Sequence, residues 1–296
     1  MASFAHPDAT QRVEVDGHTV VTYSWGSGDD VVFLLNGGPG LPCRYLVEPH
    51  LRLVDEGFRV VSYDQLGTGA SDRPDDPSLW TIERHAREVE MVRTALGLGR
   101  IKLIGHSWGG WLGIEYAVTY PDALERFVIA NSAGDIGQLT SELDRLRAAL
   151  GPEAVRMMQR REAEGSIDHP EYQAAIMLLN YRHVCRLETW PEPLTASLAD
   201  KNPQPYETVQ GPNEFLYTGN LRTWNRIDAM AGIRVPCLVV VGAYDELTPA
   251  CALRMHKALP DSRMAVFHES SHTPFYEEPE TYFARLIPFL AGQEVT

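Results

Sequence analysis

Six short apolar runs, rich in β-branched residues, recur along the chain. They are VVFLLN (31–36), RVVSYD (59–64), IKLIGH (101–106), FVIANS (127–132), CLVVVG (237–242) and RMAVFH (263–268). Each has the length of a strand. Their apolar positions are nearly continuous rather than alternating, which predicts strands covered on both faces and hence a mostly parallel sheet. Helical patterns at 81–96 and 108–120 separate some of these runs, so β and α units alternate in a doubly wound arrangement. The segment RVEVDGHTVVTYSW is different. It breaks at Asp16-Gly17 and predicts an antiparallel hairpin with its turn there.

The rhythm stops between about Gly134 and Trp224. Leu143, Leu146 and Leu150 recur at helical spacing, and residues 153–164 are rich in helix formers. A further helix is expected over 171–186, with Ile176, Leu179 and His183 on one face. Beyond it, Pro191, Pro193, Pro203, Pro205 and Pro212 are expected to break up the chain. The strand pattern then resumes at Cys237. Residues 1–134 and 225–296 therefore read as one α/β core. Residues 135–224 read as an inserted helical cap subdomain over the carboxyl edge of the sheet, where open α/β sheets bind ligands.

Composition narrows the class. The chain has 296 residues, 44% hydrophobic and 22% charged, with a formal net charge of −14. That balance opposes binding to nucleic acid, which rests on Lys and Arg neutralising phosphates. The N-terminal stretch lacks the basic-then-apolar order of a secretory signal, and no run approaches the length of a membrane span. Cys43, Cys185, Cys237 and Cys251 form no CxxC or regular spacing, so reduced thiols and a cytoplasmic location are expected.

The candidate chemistry starts at Gly105-His106-Ser107-Trp108-Gly109-Gly110, which fits G-x-S-x-G. A predicted strand ends at Ser107 and a predicted helix begins at Trp108. This is the setting of a nucleophile elbow in the α/β-hydrolase fold, where an acid and then a histidine follow the serine in the chain. Asp245 lies just past CLVVVG, and His272 just past RMAVFH. Both fall at strand carboxyl ends, as convergence on Ser107 requires. A serine hydroxyl needs an adjacent base, so His272 is expected to take its proton and Asp245 to orient the imidazole. The expected oxyanion donors are the backbone N–H of Trp108 and that of Gly38, in Asn36-Gly37-Gly38-Pro39-Gly40.

Two other patterns carry less. His268-Glu269-Ser270-Ser271-His272 spells H-E-x-x-H, a zinc motif only when it lies on a helix. Here a strand-like run leads into it and Pro274 comes soon after, so no metal is expected. Asp64-Gln65-Leu66-Gly67-Thr68-Gly69 lacks the G-K-[ST] of a phosphate loop and reads as a crowded turn at the edge of the site.

NGGPG, YDQLGTGASD (63–72), GHSWGG, GPNEF (211–215) and GAYDELTP together resemble the proline iminopeptidase family of α/β-hydrolases over nearly the whole chain. The resemblance implies removal of one N-terminal residue, often proline, from a peptide, or hydrolysis of an amino-acid amide, without metal or organic cofactor. It also implies that Glu214 and Glu246 hold the free amine of a short-peptide or small-molecule substrate. Such an amine needs compensating charge when it is buried. One position departs from the family: Asn36 stands where HGGPG has His. The expected oxyanion donors are backbone groups, so the hole should survive, and the open questions are how the loop is held and which substrate is preferred. An esterase, a lactonase or a specialised amidase of the same fold is the alternative enzyme. A non-catalytic ligand receptor is the alternative of a different class.

Overall fold

The computed structural model describes residues 5–293. Its strands are β1 (Ala9–Val15), β2 (His18–Trp25), β3 (Val31–Leu35), β4 (Arg59–Asp64), β5 (Ile101–His106), β6 (Leu124–Ala130), β7 (Cys237–Gly242) and β8 (Ser262–Phe267). They form one eight-stranded sheet in the order β1-β2-β4-β3-β5-β6-β7-β8. β1–β2 and β2–β4 pair antiparallel, and every other pair is parallel. The expected hairpin is present. Asp16 (φ 51°) and Gly17 (φ 82°) both take the left-handed backbone that a two-residue hairpin turn needs.

The helices are α1 (Arg44–His50), α2 (Arg52–Asp55), α3 (Ile82–Ala95), α4 (Trp108–Thr119), α5 (Ile136–Ala148), α6 (Pro152–Ala163), α7 (Pro170–His183), α8 (Glu192–Ala199), α9 (Pro203–Val209), α10 (Pro249–Ala258), α11 (Pro274–Glu277) and α12 (Pro279–Leu290). Successive strand residues point to opposite faces, and both faces are covered. Phe33, Leu103, Phe127 and Val239 pack with Val89 of α3, Leu112 of α4 and Met255 of α10. Val32, Ile104, Val128 and Val240 pack on the other side with Leu46 of α1 and Leu286 of α12. That two-sided burial is why the strands read as continuous apolar runs.

Between β6 and β7 the chain leaves and rejoins the core at adjacent points. Asp135 and Asn225 form an isolated bridge, Ile136 N–H donates to Trp224 O (3.0 Å), and Arg226 N–H donates to Gly134 O (2.9 Å). Two expectations for this stretch need correction. The prolines do not merely interrupt it: Pro193 and Pro203 sit in the first turns of α8 and α9, where a missing N–H costs nothing. The helix expected over 171–186 ends earlier, at His183. Its next residues are drawn into tertiary hydrogen bonds, with Arg186 N–H on Glu277 and Val184 O accepting from Thr273.

Asp135 caps α5 by accepting from Gly137 and Gln138 N–H, and also meets Arg254 Nη1 at 2.8 Å. Asp135→Ala is expected to destabilise the protein by about 1–2 kcal/mol. The check is a urea titration, with a lower midpoint and an unchanged slope.

Candidate active site

The chain passes from β5 into α4 through a single residue, Ser107, at φ 58° and ψ −122°. An L-residue rarely adopts this backbone, and it persists only where surrounding packing enforces it. Gly105 and Gly109 leave the room. A Cβ on Gly105 would run into Gly109 O, and one on Gly109 into Leu35 O of β3. β3 and β5 are neighbours in the sheet, but β3 is followed by β4 on one side and β5 by β6 on the other. The loops after β3 and β5 therefore diverge and leave a crevice at the carboxyl edge, with Ser107 in its floor.

The loop after β3 is pinned at both ends. Gly37 N–H donates to Tyr45 Oη (2.6 Å), which lies 2.8 Å from His106 Nδ1, and His106 Nε2 lies 2.8 Å from His272 O. The proton positions are set by the last bond. A carbonyl only accepts, so His106 Nε2 carries the hydrogen, Nδ1 accepts from the Tyr45 hydroxyl, and Tyr45 accepts from Gly37. Burial, with His272 nearby, holds His106 well below the ordinary histidine pKa, and burial raises that of Tyr45, so this chain stays neutral. Asn36 Nδ2 donates to Gly37 O (3.0 Å) and Leu41 O (2.7 Å), while Gln65 Nε2 reaches Asn36 Oδ1 (3.3 Å). Gln65 Oε1 in turn accepts from Trp108 Nε1 (2.9 Å). The Gly37 N–H is thus occupied. The Gly38 and Trp108 N–H groups make no backbone hydrogen bond among the described residues.

The loops after β7 and β8 bring Asp245 and His272 together, with His272 Nδ1 at 2.9 Å from Asp245 Oδ1. Asp245 is anchored further by Leu247 N–H on Oδ1 (3.0 Å) and Asn131 Nδ2 on Oδ2 (2.7 Å). Burial alone would lower the His272 pKa. The Asp245 carboxylate reverses this, aided by Glu214 and Glu277, and the net shift is upward. The His272 ring lies 4.6 Å from that of His106, the residue before Ser107. Asp245 and His272 are therefore hydrogen-bonded to each other, and His272 packs against the residue that precedes Ser107. Among the described residues no hydrogen bond joins Ser107 Oγ to His272 Nε2, the kind of contact that often tightens only when substrate is bound.

The two glutamates differ in their surroundings. Glu214 accepts from Tyr206 Oη (2.6 Å) and Gln210 Nε2 (2.8 Å). Glu246 is 1% exposed, and neither of its carboxyl oxygens has a hydrogen-bond partner. Burial first, then the charges of Glu214 and Asp245, raise its pKa well above the ordinary carboxylate value. Its Oε1 lies 3.8 Å from His272 Nε2. A buried carboxyl without a donor costs free energy, and a cationic donor would satisfy it.

The remaining patterns fall where the sequence put them. His268 and His272 lie in a loop beyond β8, with His268 exposed and His272 buried, which is not the one-turn helical spacing of a zinc pair. Asp64 is wrapped by its own turn, accepting from Ala70 N–H (2.9 Å) and Tyr23 Oη (2.9 Å). The four cysteines are buried free thiols. Tyr45, Gln65, His106 and Asn131 were not singled out by sequence. His106 and Gln65 lay inside recognised motifs, but neither was given a role there.

A family model described as the alpha/beta hydrolase fold matches residues 30–279. A proline iminopeptidase from Saccharolobus solfataricus is 35% identical over 90% of this chain and 86% of its own length. The crystal structure of VinJ superposes with a TM-score of 0.93 at 35% identity, covering 98% of this chain and all of that one. The crystal structure of a proline iminopeptidase from Mycobacterium smegmatis gives 0.88 at 33% identity, over 96% and 98% of the two chains.

Tyr45→Phe leaves Gly37 N–H and His106 Nδ1 without their partner. It is expected to lower kcat about tenfold or more through misplacement of the loop, with KM little changed. Steady-state kinetics on one substrate checks this. An imidazole acts as a base only when neutral, and the pKa of His272, the expected base, is raised. Activity should therefore be present at high pH and fall away, as pH drops, through a value above the ordinary histidine pKa of 6.5. The pH profile of kcat/KM on an uncharged ester reads this limb, which should move to lower pH in Asp245→Asn.

Proposed function

The chain belongs to the proline iminopeptidase family of α/β-hydrolases and is a hydrolase of that type, and from this we propose that it releases an N-terminal residue bearing a free amine through an acyl-enzyme on Ser107. Proline or another small residue, in a peptide or an amino-acid amide, is the substrate class. His272 Nε2 removes the Ser107 proton as Oγ attacks the acyl carbon. Gly38 and Trp108 N–H receive the oxyanion, and the imidazolium protonates the departing amine. Water, deprotonated by the same imidazole, then cleaves the ester and frees Ser107. Residues 135–224 form the cap, which carries Glu214, while the core carries Glu246. The amine is gripped between the two.

The observation that carries this reading is Glu246, buried with both oxygens unpartnered and with Glu214 close enough to raise its pKa. A free amine answers both features. It brings N–H donors, and its positive charge offsets the mutual repulsion of the carboxylates. Two acids also offer no hydrogen-bond or charge counterpart to an acylated N-terminus, which would favour removal of a single residue.

The test is a panel of aminoacyl naphthylamides and amides, their N-acylated forms, and uncharged esters. Free amines should react far faster than their N-acylated forms. Glu246→Gln should raise KM for amine substrates about 10- to 100-fold, the worth of one charged hydrogen bond, and change that for uncharged esters little. Equal turnover of acylated and free substrates would defeat the amine assignment and favour an esterase or lactonase. Full activity of Ser107→Ala would defeat the nucleophile.

A further inference from the structure

His272 sits in a loop with no regular secondary structure, yet its imidazole has to be placed to within a fraction of an ångström. Asp245 fixes one ring nitrogen but not the backbone that carries the ring. The residues on either side of His272 are held by one carboxylate, that of Glu277 at the end of α11. Glu277 Oε2 accepts from Ser271 N–H (3.0 Å), Thr273 N–H (3.0 Å) and Thr273 Oγ1 (3.2 Å). Glu277 Oε1 accepts from Ser271 Oγ (2.8 Å) and from the backbone N–H of Arg186 (2.8 Å). An ionised carboxylate has about four lone-pair sites and no donor, so these five donors saturate it.

The Arg186 bond gives the arrangement a second end. Arg186 lies just past α7, in the segment inserted between β6 and β7. Its neighbours touch the same loops: the single proton of Thr273 Oγ1 is shared between Glu277 Oε2 and Val184 O (3.4 Å), and His183 Nδ1 lies 2.7 Å from Tyr244 O, the carbonyl preceding Asp245. His183 Nδ1 must donate there, since a carbonyl cannot. Residues 183–186 therefore bond the loop of Asp245 on one side and that of His272 on the other. We propose that Glu277 is a positioning residue of the catalytic triad, which holds His272 by both flanking residues and ties it to the 183–186 segment of the cap. This rests on the assignment of His272 as the catalytic base.

A glutamine at 277 keeps the shape but turns an NH2 donor toward N–H donors, whichever way its amide faces. Glu277→Gln should lower kcat on both amine and ester substrates about 10- to 100-fold, as loss of an orienting partner behind a reactive ligand does, with KM changed less than about threefold. The rate of Ser107 labelling by a fluorophosphonate should fall by the same factor. The low-field proton resonance of the His272–Asp245 bond should shift or broaden. Glu278→Gln is the control. Glu278 holds Glu269 N–H (2.9 Å) and Ser270 Oγ (2.6 Å), in the same loop but not beside His272, and its loss should leave kcat within about threefold. A wild-type kcat and resonance in Glu277→Gln, or an equal fall in Glu278→Gln, would overturn the proposal. If Glu277→Gln yields no folded protein, Ser271→Ala/Thr273→Val removes two donors and keeps the carboxylate. It should lower kcat by at least about threefold, and an unchanged kcat would overturn the proposal equally. Activity surviving in Ser107→Ala would instead show that the triad assignment itself is at fault.

Discussion

The backbone of Ser107 is the constraint on which the rest of the site depends. At φ 58° and ψ −122° the residue is strained, by an amount of order 1–3 kcal/mol for such conformations. The residue is buried, only 6% exposed, at the junction of the strand it leaves and the helix it starts. The surroundings that hold it there are apolar and close-packed, with Trp108, Trp111 and Leu112 of α4 fully buried against the sheet. Because α4 lies so close to β3 and β5, its glycines are steric requirements. The loop after β3 is also brought next to the serine: a Cβ on Gly37 would lie 2.9 Å from Ser107 Cβ. One strained residue thus fixes where the Ser107 hydroxyl, the loop after β3 and the first turn of α4 meet.

Around His272 the protein gathers four carboxylates and gives each a different number of donors. Glu277 receives five, from Ser271, Thr273 and the backbone of Arg186. Asp245 receives His272 Nδ1, Asn131 Nδ2 and Leu247 N–H. Glu214 receives a tyrosine hydroxyl and a glutamine amide. Glu246 receives none. Hydrogen bonds to the ionised form stabilise it, and burial without them does the reverse. Glu246, buried without a donor and beside Glu214 and Asp245, has a pKa raised well above the ordinary carboxylate value. Adjacent positions 245 and 246 differ sharply, Asp245 receiving three donors and Glu246 none.

The sheet was legible because its strands are buried on both faces, so their apolar runs are nearly unbroken. The hairpin was legible because Asp16-Gly17 is among the few dipeptides that accept two left-handed residues in succession. Ser107, Asp245 and His272 could be placed because each comes directly after a strand, and parallel strands bring their carboxyl ends to one edge. The supporting partners obey no such rule. Tyr45 reaches His106 from α1, sixty-one residues earlier in the chain, and Asn131 reaches Asp245 across more than a hundred. Neither has a periodicity or spacing that points to its partner. Glu277 sits in HTPFYEEPE, among acids that look like an ordinary helix start. The end of α7 was missed for the same reason. Local propensity continues the helix past His183, while hydrogen bonds to Glu277 and Thr273 draw the chain away.

Asn36, where the family has histidine, shows how a substitution inside a motif can be absorbed by its neighbours. In the proposed mechanism the loop presents the N–H of Gly38 and keeps that of Gly37 out of competition. Tyr45 does the second by accepting Gly37 N–H. The first needs the carbonyls of Gly37 and Leu41 held from the opposite side, and both are acceptors. A side chain there must bring two donors at short reach. The Asn36 amide does so with a single nitrogen, and its oxygen is left for Gln65. Gln65 then ties the loop to Trp108, whose own N–H is the other expected oxyanion donor. The loop after β3 and the start of α4 are thus joined through Asn36 and Gln65, on the side away from Tyr45.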